Sequence, residues 1–318
     1  MSNTEFQVVT YTAGDQNYPF VTSLEDGGFV IIWESSIQES SYGIYGQRYN
    51  EEGYATVAEF QISTDKDSYQ ITPTAAALNE GGFVVAWHSY SFDLLSYNIL
   101  AQRYDSSGNT TGAEFQINTH EIISPNTDPD VDVGSSVTSL NDGGFLLTWQ
   151  TYGQDGTASA ISGQRYDIEG NTAGAEFKIN TYSENTESGP SVTNLRDGGF
   201  VATWESFGQD SSSDGVYGQR YDTSGNTVDN EFQINTYTTS AQLYPSVASL
   251  GDGGFVVTWM SDGQDGDLWG IFAQRFSSTY SSPANAAIDF SNRGLSEGDR
   301  VTLNVTGGTQ VQGVIGSD

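Results

Sequence analysis

The sequence predicts an all-β fold, a five-bladed β-propeller of four-stranded antiparallel blades. Three observations predict it. One eleven-residue string recurs five times: LEDGGFVIIWE at 24–34, LNEGGFVVAWH at 78–88, LNDGGFLLTWQ at 140–150, LRDGGFVATWE at 195–205 and LGDGGFVVTWM at 250–260. Three further strings recur with it in constant order, and no part of the repeat shows helical periodicity. The anchor tryptophans Trp33, Trp87, Trp149, Trp204 and Trp259 lie 54, 62, 55 and 55 residues apart, a period that belongs to propellers and arrays.

Each string reads as one strand. The innermost is PFVTSL at 19, PTAAAL at 73, SSVTSL at 135, PSVTNL at 190 and PSVASL at 245. An Asp-Gly turn, the strongest short hairpin signal, joins it to the anchor strand. The second glycine there is free to take a positive φ that a side chain resists. In GGFLLTW, Phe145, Leu147 and Trp149 share one face, and Leu146 and Thr148 the other. Both faces are largely apolar, so this strand must be covered on both sides. The third strand is GQRYN at 46, AQRYD at 101, GQRYD at 163 and 218, and AQRFS at 273; a Gly-Asn type turn leads to the outermost strand. That strand is EFQVVT at 5, EFQIST at 59, EFQINT at 114, EFKINT at 176 and EFQINT at 231.

One blade cannot hide two apolar faces, whereas blades around an axis cover each other. The fifth blade lacks an outer strand after 273–276, and the chain begins with a spare one at 5–10. The expectation is therefore closure by the N-terminal strand pairing with the last blade, which leaves no open edge. An open β array is the other architecture considered. The recurrent Arg48, Arg103, Arg165, Arg220 and Arg275 each precede the Glu of an EF pair by eleven residues, as in Arg165 and Glu176. Cross-strand ion pairing within the blade is expected. Residues 1–276 form the propeller; 277–318 read as a linker and C-terminal extension, with DRVTLNVTGG able to begin a further β domain.

Composition narrows the function. Forty-one acidic residues against ten basic ones give a net charge of −31. Counterion release on nucleic acid needs free Lys and Arg, so nucleic-acid partners are disfavoured, as are anionic membranes. No apolar stretch approaches a membrane span, and membrane insertion is not expected. The chain has no cysteine, which excludes disulfides and thiolate metal sites. MSNTEFQVVT lacks the basic and apolar regions of a Sec signal peptide.

The combination DGGFVVTW, GQDG, GQRYDxxGN and EFQINT resembles a propeller repeat found in large type I secreted, adhesin- or RTX-like bacterial proteins. The resemblance covers about residues 5–276. It implies a secreted or cell-surface location through type I secretion, and names no reaction. The calcium nonapeptide GGxGxDxxx that often accompanies such repeats is absent. The anchor is also similar to the Asp-box of sialidase-like propellers, with Ser23, Asp26 and Gly27 in an imperfect match; that motif is a structural turn.

In a four-stranded blade the loops after Trp and after EFQINT are long and share one face, the better place for a ligand. Three post-Trp loops carry Gly-Gln-Asp, which gives Gln154 and Asp155, Gln209 and Asp210, and Gln264 and Asp265 as candidate ligand-binding residues, with Trp269, Tyr182 and Tyr237 beside them. Aromatic platforms next to amides and carboxylates suit sugars. The same residues also suit plain turn-building. The 62-residue spacing carries an insertion with Asp128, Asp130 and Asp132, three closely spaced carboxylates suited to a hard cation. Calcium is the candidate cofactor, and a solvated acidic loop the alternative. His88 and His120 lack any surrounding catalytic motif, and no GxSxG, HExxH or P-loop is present. The expectation is a non-catalytic, lectin-like or adhesive binding module, not an enzyme, with ligand sites between blades on the long-loop face and a glycan or cell-surface ligand as partner. The alternatives are a structural or calcium-binding assembly domain with a protein partner and, less favoured, a glycan-active enzyme.

Overall fold

The computed structural model describes residues 5–36, 42–120, 122–123, 134–152, 159–279, 300–304 and 310–314. It is an all-β molecule of antiparallel blades arranged as a five-bladed propeller. Blade 1 contains β1 (Gln16–Ser23), β2 (Phe29–Ser35), β3 (Gly43–Tyr49) and β4 (Phe60–Gln61). Blade 2 contains β5 (Tyr69–Ala77), β6 (Phe83–Ser91), β7 (Ser96–Tyr104) and β8 (Thr110–Gln116), with β9 (Ile122–Ile123) added against β7. Blade 3 is β10 (Ser135–Ser139), β11 (Phe145–Tyr152), β12 (Ser159–Tyr166) and β13 (Phe177–Lys178). Blade 4 is β14 (Glu187–Asn194), β15 (Phe200–Phe207), β16 (Asp214–Tyr221) and β17 (Thr227–Gln233). Blade 5 has three strands, β18 (Gln242–Ser249), β19 (Phe255–Asp262) and β20 (Trp269–Phe276). The chain divides into two compact units, Met1–Ser282 and Pro283–Asp318; the second holds the hairpin β21 (Arg300–Asn304) and β22 (Gln310–Val314).

The core lies between blades, where the two-sided anchor strand demands it. Leu140, Leu146, Ile161 and Ile179 of blade 3 pack against Val192, Phe200, Ala202, Trp204 and Tyr221 of blade 4. The same positions meet between blades 1 and 2, 2 and 3, and 4 and 5. Within each blade the Phe of GGF stacks on the ring that ends the third strand, as in Phe145 on Tyr166 at 4.7 Å. The Phe of EF in the preceding blade tilts onto that same ring, as Phe115 does on Tyr166 at 5.6 Å. The Glu of the EF pair in blades 1 to 4 accepts hydrogen bonds from the threonine that follows the preceding outer strand; Thr181 N and Oγ1 reach Glu231 at 2.6 and 2.9 Å.

Three expectations are corrected here. The strand order gives β20 one neighbour, β19, so the predicted pairing of 5–10 with 271–276 is not formed among the described residues. Segment 5–10 is held instead by blade 1. Phe6 lies 5.4 Å from Tyr49, and Thr10 donates to Glu59, the contacts every outer strand makes with the blade after it. The facing surfaces stay exposed: Val21 at 61%, where its counterparts in later blades are 4–9%, and Ile271 at 75%, where its counterparts are 0%.

Among the described residues, the arginine ion pairs found are not with the Glu of EF. Arg48, Arg165, Arg220 and Arg275 pair with Asp26, Asp142, Asp197 and Asp252, the turn aspartates of their own blades. The register explains this. Gly163 sits opposite Phe177 and Ser162 opposite Lys178, so the two-residue period carries Glu176 to the Gln164 face and away from Arg165.

The first glycine of each turn, not the second, takes the positive φ: +91° at Gly143 and +92° at Gly198. The second is required by close approach, because a Cβ at Gly144 would collide with the Tyr166 carbonyl oxygen. Gly144→Ala is therefore expected to destabilise the molecule by about 2 kcal/mol or more, and Trp149→Ala, which empties a fully buried site, by about 3–5 kcal/mol. Urea unfolding followed by tryptophan fluorescence measures both.

Candidate functional site

The inner strands β1, β5, β10, β14 and β18 neighbour one another in that order from blade 1 to blade 5, on the axial side of the blades. Four of them break register at the same place, between Asn17 and Phe20, Ile71 and Thr74, Ser188 and Ser191, and Leu243 and Ser246. The cause is local. Pro19, Pro73, Pro190 and Pro245 carry no N–H for the ladder. The residue before each takes the left-handed region: Tyr18 at +48°, Thr72 at +49°, Gly189 at +57° and Tyr244 at +56°. For three residues with side chains, one of them β-branched, this backbone is strained, and such strain collects at functional sites.

Beside these four bulges, and at the matching place in blade 3, sits the residue that follows each anchor tryptophan. It differs in every neighbouring blade: Glu34, His88, Gln150, Glu205 and Met260. Glu34 accepts from Thr72 N of the next blade at 3.2 Å. Glu205 accepts from Tyr244 N of the next blade at 2.5 Å and from Ser188 Oγ at 3.0 Å. His88 Nδ1 shares a 2.8 Å hydrogen bond with Thr72 Oγ1. Burial holds the His88 imidazole neutral, with its pKa lowered to about 3. At the equivalent place in blades 1, 4 and 2 stand two carboxylates and a neutral imidazole, all buried, with the exposed rings of Tyr18 and Tyr244 on the bulges of blades 1 and 5.

The residues expected from the loops fare differently. Tyr182, Gln209 and Asp210 do come together in blade 4, around Tyr217. The Tyr217 phenol is raised by burial and then by the charges of Asp210, Glu231 and Glu187. Most of their polar atoms are spent internally, although Gln209 Oε1 is buried without a hydrogen-bond partner. Gln209 Nε2 donates to Glu231 at 2.6 Å, and Asp210 accepts from Ser212 N at 3.0 Å and Gln233 Nε2 at 3.1 Å. In blade 5, Asp265 accepts from Asp267 N at 3.4 Å, within its own turn. Gln264 and Tyr237 lie on this same loop face, with the Tyr237 hydroxyl near Gly263, and Trp269 is half exposed at the start of β20. Gln154, Asp155, Asp128, Asp130 and Asp132 lie outside the described residues. Among the described residues no group of three or more His, Cys, Asp or Glu side chains is placed to hold a metal ion, and no helix is long and apolar enough to cross a membrane.

The sequence reading missed Glu34, His88 and Glu205. The signal was the position after the repeated Trp, where an otherwise constant string changes residue type. It missed Glu187 as well. This residue occupies the place of Gln70 in blade 2, whose side chain accepts from Trp87 Nε1 at 2.7 Å. Burial pushes the Glu187 carboxyl up to about 8, opposed by the Ser206 hydroxyl that donates to it at 3.1 Å and reinforced by the charge of Glu231. At neutral pH it is a protonated stand-in for glutamine.

The chain matches no family model and no curated protein by sequence. By structure it is similar to a protein of unknown function from Dyadobacter fermentans, at 13% identity over 93% of each chain with a TM-score of 0.58. It is also similar to an alpha-L-arabinanase of Penicillium chrysogenum complexed with arabinobiose, at 15% identity over 82% of this chain and 81% of that one, TM-score 0.51. A variant of an alpha-L-arabinofuranosidase of Fusarium graminearum in complex with an iminosugar inhibitor matches at 14% identity over 85% and 82%, TM-score 0.53. These likenesses show the fold. They also overturn the expectation of a non-catalytic, lectin-like or adhesive module and of no enzyme, because that expectation rested on missing motifs. Propellers of this fold include glycan-cleaving enzymes, and a fold that draws side chains from separate blades around an axis needs no contiguous motif.

The Glu187 carboxyl makes stability depend on pH. Its folded pKa of about 8 lies above the ordinary 4.5, so the folded state holds a proton that the unfolded state has lost between those values. Stability is therefore full below about pH 4.5 and falls as pH rises towards 8. Glu187→Gln is expected to match the wild type in melting temperature at pH 5 and to exceed it by several degrees at pH 9. Melting curves at the two pH values check this.

Proposed function

We propose that the protein is a glycan-active propeller that hydrolyses a glycosidic bond at the axial end of its long-loop face, with Glu34 and Glu205 as the carboxylate pair. One observation carries the reading. At a single ring position two blades supply carboxylates, each oriented by a backbone N–H from the strained bulge of the following blade. Glycoside hydrolysis needs two carboxyl groups flanking the bond, one to protonate the leaving oxygen and one to act as base or nucleophile on the opposite face. Anchored hydrogen bonds from backbone hold such groups in place at little entropic cost.

The remaining groups suit the same task. Tyr18 and Tyr244 provide exposed rings for the apolar C–H faces of a sugar. Neutral His88 orients the Thr72 hydroxyl as a positioning residue. Similarity to the arabinanase and arabinofuranosidase propellers favours an arabinose-containing chain as the first substrate to try.

The test is release of reducing sugar from linear and branched arabino-oligosaccharides. The folded wild-type protein is expected to turn over at least one of them, and Glu34→Gln and Glu205→Gln each to lose about 10²–10⁴-fold in kcat while keeping their melting temperatures. No turnover by the folded protein, or undiminished turnover in both variants, overturns the proposal.

A further inference from the structure

One blade departs from the repeat at three positions that meet in space. In blades 1, 2, 4 and 5 the residue opposite the anchor tryptophan on the third strand is large: Tyr45 opposite Trp33, Leu100 opposite Trp87, Tyr217 opposite Trp204 and Phe272 opposite Trp259. In blade 3 it is Ser162, opposite Trp149. On the outer strand the third residue is Gln61, Gln116 and Gln233 in blades 1, 2 and 4, and Lys178 in blade 3. Lys178 sits directly across from Ser162 in the β12–β13 ladder. The residue after the outer-strand threonine is Asp65, Tyr182 or Tyr237 elsewhere, and His120 on the blade 2 segment that leans against blade 3.

The loss of the large side chain opens a cleft of about 600 Å³ between blades 2 and 3, lined by Thr119, His120, Thr151, Ser162, Gln164 and Lys178, among others. That volume lies within the range of small-molecule sites. Its furnishing is specific. Ser162 and Thr172 supply hydroxyls suited to those of a sugar, whereas Thr151 Oγ1 already donates to Ala160 O at 3.3 Å and Gln164 Nε2 to Arg165 O at 2.9 Å and Gly174 O at 3.1 Å. The carboxylate on its wall, Glu176, is already engaged by Thr119 N at 3.1 Å and Thr119 Oγ1 at 2.7 Å. Lys178 is one of only two lysines in a chain of net charge −31, and it lines the same cleft as His120, whose Nδ1 shares a 2.9 Å hydrogen bond with Thr119 Oγ1. A lysine and a histidine brought together by two independent departures from the repeat mark a point for negative charge on a surface that otherwise repels it.

We propose that this cleft is a second carbohydrate site, separate from the axial carboxylates, that binds a sugar carrying a carboxylate, a uronic acid unit. Lys178 and His120 take the carboxylate, and the hydroxyl-lined floor opened by Ser162 takes the ring.

The repeat itself supplies the test. Ser162→Tyr refills the cleft with the residue of blades 1 and 4, and Lys178→Gln restores the residue of three other blades, so both substitutions suit the fold. Calorimetric titration and ligand-observed NMR with methyl glucuronide, methyl glucoside and acetate give the readout. The wild type is expected to bind the uronide, and to bind the glucoside and acetate at least about tenfold more weakly; each variant is expected to lose at least about tenfold of the uronide affinity. Glu34→Gln is expected to bind the uronide as the wild type does, which separates this site from the axial one. Uronide binding unchanged in a folded Ser162→Tyr variant overturns the proposal. So do glucoside or acetate binding as tight as the uronide, and no uronide binding by the wild type.

Discussion

The whole molecule depends on one constraint: the anchor strand of each blade is apolar on both faces, and a single sheet can bury only what another sheet covers. Blade-to-blade contact is therefore the folding event as well as the architecture. Its recurring unit is a cluster of three rings, the Phe of GGF and the third-strand ring of one blade and the EF Phe of the blade before, set between aliphatic residues from both. Segment 5–10 reproduces that unit on blade 1, with Phe6 on Tyr49. The polar Thr-to-Glu bonds follow the same step from blade to blade. Apolar burial supplies the driving force, and these directional bonds set the rotation and register.

A scaffold that repeats its packing frees certain positions to differ. Side chains in the inter-blade core cannot change without opening a void, which is why the anchor Trp and Phe recur. The position after the tryptophan is also buried in blades 1 to 4, but its side chain is met by polar groups and not by the ring cluster. There the residue after the tryptophan runs through Glu, His, Gln, Glu and Met, and the proline-induced bulge turns backbone N–H groups towards it. Where a core position does change, as at Ser162, a void opens, and the residues around it change as well. The chemistry of this chain is thus written in its departures from the repeat.

Much of the fold was legible in the amino-acid sequence. Repeats with strand periodicity and Asp-Gly turns specify meanders, and meanders with two apolar faces specify blades around an axis. The errors were local. The ion pairs of Arg165 and its counterparts depend on a register that sequence spacing does not reveal; one residue of offset moved Glu176 to the other face. The hydrogen bonds of the candidate loop residues Gln209 and Asp210 run to Glu231, Gln233 and their own turn. Polar residue type shows capacity for bonding, not which partner uses it.

By itself the sequence determined the number of blades, the strands within the first four, the two-sided burial of the anchor strand and the strongly acidic composition. All of these follow from periodicity and composition, which are properties of the chain alone. Only the tertiary structure decided which residues of different blades meet. Glu34 lies on Thr72 of the next blade and Glu205 on Tyr244, and His120 and Lys178 line one cleft from two blades. These pairs are separated by 38, 39 and 58 positions in the chain. Their proximity is a consequence of ring geometry, which no local pattern encodes.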